Sequence, residues 1–120
     1  MADNNLDDFG RFIVAHFRDK ALEQHALLQE GRLRAEHLLG IQALLSEMSS
    51  EQREVVALIV KDAIDTALHD LLFAIQDAHD RELGLELLIN GKNVAEMSEM
   101  LHGEIQGDDG WIARFSHYSA

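Results

Sequence analysis

The residues best equipped for chemistry in this chain are its seven histidines and the carboxylates that stand three or four positions from them. Glu99-x-x-His102 puts a carboxylate and an imidazole on one face of a helix, the spacing used by carboxylate-bridged di-iron bundles. Such a centre needs the motif twice, together with two further glutamates, and only one copy is present. Glu99 and His102 are therefore expected to form a weak metal clip at most, and no other cofactor is expected. His16 with Asp19, and Asp65 with His69, also have helical spacing, but they fit solvated pairs on helix exteriors better than ligand sets.

Other chemistries are excluded more firmly. With no cysteine in the chain, disulfides, thiolate zinc sites and a cysteine nucleophile all fall away. No glycine-rich phosphate cradle of the GxGxxG or P-loop type occurs. Gly107-Asp108-Asp109-Gly110 is too short for an EF-hand loop and suits a tight polar turn. Ser46, Ser98 and Ser116 sit in no nucleophile elbow. Gly31-Arg32-Leu33-Arg34 has the layout of a helix-turn-helix, but Glu30 and Glu36 stand beside its two arginines. No catalytic residue is expected.

Residues suited to binding are easier to find. Asp62, Asp65 and His69 lie on the polar side of a long helix that continues through Gln76, Asp77, His79 and Asp80. They could receive a basic partner, although a solvated helix face has the same pattern. Trp111, Phe115 and Tyr118 form the densest aromatic patch, at i, i+4 and i+7. They could anchor a partner, since tryptophan and tyrosine dominate interface hot spots, or complete the core by folding back.

Charge favours a protein partner over a nucleic acid or a membrane. Twenty-two acidic side chains face ten basic ones, a net charge of −12. Residues 1–48 hold eight acids and five bases, residues 49–81 seven and three, and residues 82–120 seven and two. A field of this sign repels phosphate backbones and anionic lipid and steers a basic protein inward. The acidic start, Met1 to Asp8, lacks a basic stretch followed by an apolar one. The longest apolar run, Val55 to Val60, is far short of a span. A cytoplasmic protein is expected.

The elements that must carry these residues are mainly α-helical. No proline occurs, where an average chain of this size has about six, so nothing breaks long helices. Leu6, Phe9, Ile13, Phe17 and Ala21 form one stripe of a helix over about 5–30. Leu38, Ile41, Leu45 and Met48 mark a second over about 33–48. Ser49-Ser50-Glu51-Gln52 reads as a capping box, opening a third over about 50–81. Leu85 to Ile89, Asn90-Gly91 and Lys92 to Val94 predict a β-hairpin, with a short helix to residue 101. An aromatic tail follows over 103–120, readable as a helix or as a hairpin. The third helix would be a rod of roughly 48 Å, longer than the diameter of about 35 Å of a compact domain this size. Val55–Val60 and Leu71–Ile75 also wrap more than one of its faces.

These features predict one mainly α domain, a bundle of three long helices with a small C-terminal hairpin and aromatic segment, assembled as a homodimer. A small acidic interaction protein is the function expected, an inhibitor, immunity or regulatory protein that binds a basic partner. The alternative is a metal-binding helical-bundle protein or enzyme.

Overall fold

The computed structural model describes residues 5–118; residues 1–4 and the last two of the expected aromatic tail, Ser119 and Ala120, lie outside the described residues. Helix α1 (Asn5–Ile13) passes through a π-helical stretch (Val14–Asp19) directly into α2 (Lys20–Gln29). Helices α3 (Glu36–Ser46) and α4 (Ser50–Asp80) follow. Strands β1 (Leu88–Ile89) and β2 (Lys92–Asn93) then lead to α5 (Val94–Ser98), a 3-10 turn (Leu101–Gly103) and α6 (Trp111–Phe115). The protein is thus mainly helical with one two-stranded antiparallel sheet.

Helix boundaries follow local chemistry. Helix α2 stops in a Schellman motif: Gly31 has φ +68°, its N–H donates to Leu28 O, and Arg32 N–H donates to Leu27 O. The second helix is shorter than the expected 33–48. Residues 31–35 are held outside it because the buried Gln42 amide accepts from Leu33 N–H at 2.9 Å and donates to Leu33 O at 2.8 Å. Helix α4 opens on the anticipated capping box, with Gln52 N–H donating to Ser49 Oγ and Ser49 N–H to Gln52 Oε1. The hairpin also forms as read. Asn90 and Gly91 both take positive φ, as a type I′ turn requires, and Ile89 pairs with Lys92. Among the described residues the tail forms one helical turn, α6, and no hairpin.

The chain packs into a head and an arm. Phe9, Val14, Leu68, Leu72, Val94, Leu101, Ile105, Trp111 and Ile112 form the head core, built from α1, the π stretch, the second half of α4 and everything after it. The Trp111 indole lies edge-on to Phe9, centroids 5.7 Å apart, directly over Gly10. A Cβ at Gly10 would stand 2.5 Å from indole Cδ2 and Nε1, so only glycine lets the ring in. Gln76 bridges α4 to the segments that follow, donating to Ala95 O at 3.1 Å and accepting from Leu101 N–H at 2.9 Å.

The arm consists of α2, α3 and the first half of α4. Helix α2 packs on both α3 and α4, and Gln29 donates to Arg53 O. Burial pushes the pKa of the His25 imidazole on α2 down. In the arm's α3 and the first three turns of α4, only Leu45 and Gln42 are buried. The arm stretches the molecule to 49 × 30 × 21 Å with a radius of gyration of 17.1 Å, against about 14 Å for a compact chain of this length.

Candidate interaction surfaces

The sequence-selected residues divide between the inside and the outside of the head. Trp111 is fully buried and presents no face to a partner. Phe115 is half-buried between two guanidinium groups, with Arg11 4.6 Å and Arg114 4.7 Å from its ring centroid. Tyr118 is 38% exposed. The aromatic tail thus closes the core with its tryptophan and leaves only its last ring outward.

Two ion-pair systems clamp that tail. Arg114 donates to both Asp7 carboxylate oxygens at 2.8 and 2.9 Å. Its guanidinium is the main reason the Asp7 carboxyl lies below its ordinary pKa, against an opposing effect of burial and with help from the Trp111 indole. Deeper in, the fully buried Arg18 donates to Asp65 at 2.6 and 3.3 Å, to Ser116 Oγ at 2.9 Å and to Tyr118 O at 3.0 Å. Asp19 receives Ser116 O–H at 2.6 Å and His117 N–H at 2.9 Å. Arg18 and Asp19, consecutive residues of the π-helical stretch, both face inward. No sequence signal pointed to this latch, since π-turns have no composition of their own.

Asp65 was expected to receive a partner's basic group; here it pairs with Arg18 inside the molecule. Asp62 and His69 remain outward, lining with Asp65, Thr66 and Gln106 a shallow depression of about 310 Å³. The His69 ring lies 5.2 Å from that of His102 and Phe73 lies 4.9 Å from His102. The expected Glu99–His102 clip requires correction. Helix α5 ends at Ser98, and Glu99 has φ +68°, so the two residues share no helix face. His102 meets His69 instead. Among the described residues no group of three or more His, Asp or Glu side chains stands close enough to hold a metal ion.

A second surface lies at the far end of the head, on the loop after α4 and the hairpin. Leu83, Leu85 and Leu88 are 59%, 54% and 54% exposed. Exposed Glu82, Glu86 and Glu96 stand among them. Depressions of about 520 and 270 Å³ meet at Glu86, the first also lined by Lys92 and Met97, the second by His79 and Gly84. The third surface is the arm, where Leu44, Val55, Leu58 and Ile59 are 54–66% exposed. Sequence reasoning found the apolar excess of α4, which is exposed in the arm at Val55, Leu58 and Ile59 and again in the head at Phe73. No helix of the described residues is long and apolar enough to cross a membrane.

The model of a family of unknown function, DUF6547, matches residues 7–118, and the chain belongs to that family. No curated protein and no solved structure matches it.

Proposed function

We propose that this protein is an acidic interaction protein, acting as a homodimer, that binds and regulates a basic protein partner through the far end of its head. One observation carries the reading: leucines 83, 85 and 88 are each more than half exposed, and exposed glutamates 82, 86 and 96, with Lys92 among them, line the depressions that hold Leu85 and Leu88. Apolar anchors inside a charged rim are the anatomy of a protein-binding patch. The sign of the rim selects a basic partner and speeds encounter with it. Charge distribution supports the choice of the head. Residues 20–65, which make the arm, hold eight acids and five bases, whereas the rest of the chain holds fourteen and five. Inhibition, immunity or regulation of a basic enzyme are the roles this chemistry serves.

The test is affinity capture from the native cell across salt concentration. A basic protein should be retained at low ionic strength and released as salt rises past a few tenths molar, where the Debye length is only about 4–5 Å. Glu86→Lys and Leu85→Asp should each abolish capture. Retention of no basic protein at low salt, or capture indifferent to both substitutions, overturns the proposal.

A further inference from the structure

The arm is also less acidic than the head: residues 20–65, which hold α2, α3 and the first half of α4, carry eight acids and five bases of the chain's 22 and ten. On α3 and the first three turns of α4, Leu39, Ile41, Leu44, Val55, Leu58 and Ile59 are 48–66% exposed. These helices are joined by a turn of three residues, 47–49, and Val55, Leu58 and Ile59 share one face of α4 at i, i+3 and i+4. Isolated exposed leucines are ordinary on any surface; a contiguous aliphatic face is not.

We propose that the arm is the chain's self-association surface and that a second copy occupies it, arm against arm about a two-fold axis. This rests on the homodimer named above and assigns it a surface. Three observations select a second copy over another occupant. The first is area. The accessible surface is 7885 Å², whereas a compact monomer of 13.5 kDa exposes about 6,500 Å². The excess, about 1,400 Å², falls within the roughly 1,000–2,500 Å² that each partner contributes to an obligate homodimer. The second is composition. The patch is aliphatic, like a domain core cut in half, whereas transient interfaces are enriched in tyrosine, tryptophan and arginine. The third is charge. Two copies of a chain at −12 repel one another, and less through the arm, residues 20–65 at −3, than through the rest at −9. A basic partner has no such reason to choose the arm.

The dimer also accounts for the length of α4. Its 31 residues extend beyond the head core, and the projecting turns gain cover on their second face only if another molecule supplies it.

Light scattering of the purified, untagged chain, with small-angle X-ray scattering, tests the proposal. Twice the chain mass of 13.5 kDa is expected, undiminished at about 0.5 M salt, because apolar contact is not screened while head–head repulsion is. Leu58→Glu and, separately, Leu44→Glu should each weaken the dimer by roughly tenfold or more, while Leu85→Glu on the head leaves it unchanged. Emission from Trp111, the only tryptophan, reports that the head of each variant is folded, since this residue is buried away from the arm. A wild-type monomer overturns the proposal in either form it could take. A radius of gyration that stays near 17 Å would leave the arm to a foreign partner, and one shrinking to about 14 Å would mean that the arm closes on its own head. A dimer indifferent to both arm substitutions, or broken by Leu85→Glu, overturns it as well. Partner capture is scored separately, so loss of the dimer and loss of the head's partner are distinguishable.

Discussion

Gly10→Ala should destabilise the head, although alanine is the better helix former. In an exposed helix the exchange gains about 1 kcal/mol from reduced backbone freedom in the unfolded chain. At Gly10, however, the new methyl would meet indole Cδ2 and Nε1 of Trp111 at 2.5 Å, and real Cβ atoms essentially never approach a neighbour that closely. The indole has nowhere to go: it is fully buried and stands edge-on to Phe9. Overpacking of this kind costs about 1–3 kcal/mol, and an enclosed ring places the cost at the upper end. The net loss is about 2 kcal/mol, or roughly 6–10 °C in midpoint for a domain of this size. Urea denaturation followed by far-ultraviolet circular dichroism measures it, since Trp111 emission is itself perturbed by the exchange. Gly40→Ala on α3, where nothing lies within 4 Å of the added methyl, is the counterpart and should gain up to about 1 kcal/mol. A Gly10→Ala protein as stable as wild type would refute the claim that Trp111 is locked against α1.

Further substitutions test the remaining contacts. Arg18→Leu leaves Asp65 and Asp19 without their buried cation and should cost about 3–5 kcal/mol; hydrogen exchange at His117 N–H should accelerate as the tail loosens, and a loss under 1 kcal/mol would show the latch to be incidental. Asp7→Asn should cost about 0.5–1 kcal/mol near neutral pH, a modest figure because Asp7 and Arg114 are 24% and 38% exposed and water screens them. The folded-state pKa of Asp7 lies below its unfolded value, so the contribution is complete above the ordinary aspartate range of about 4 and disappears as pH falls through the lowered value. Urea titrations of the two proteins should therefore converge in acid, and a gap that persists there would argue against the ion pair. Glu99→Gly relieves a left-handed backbone at φ +68° and should raise stability by roughly 0.5–1 kcal/mol; a loss would give the Glu99 side chain a role that its position does not suggest.

What sequence determined here was local. The capping box at Ser49, the Asn90-Gly91 turn and the helical run without proline all formed where they stand, because each rests on backbone preferences acting over four residues or fewer. The apolar excess of α4 was also legible, and with it the shortage of cover for a helix of 31 residues. Tertiary structure alone decided which acids face outward. Asp65 and Asp62 look alike in sequence, yet a π-turn forty-odd residues away aims Arg18 at one of them. Glu99 and His102 have helical spacing, but α5 ends at Ser98, before both of them, and the fold sets His69 beside His102 instead. Trp111 reads as an anchor or, more readily, as core, and Gly10 leaves the room for its ring. The division into a head with a packed core and an open, less acidic arm has the same origin. Periodicity shows that a face is apolar, but whether the chain covers that face itself depends on where its other helices pack.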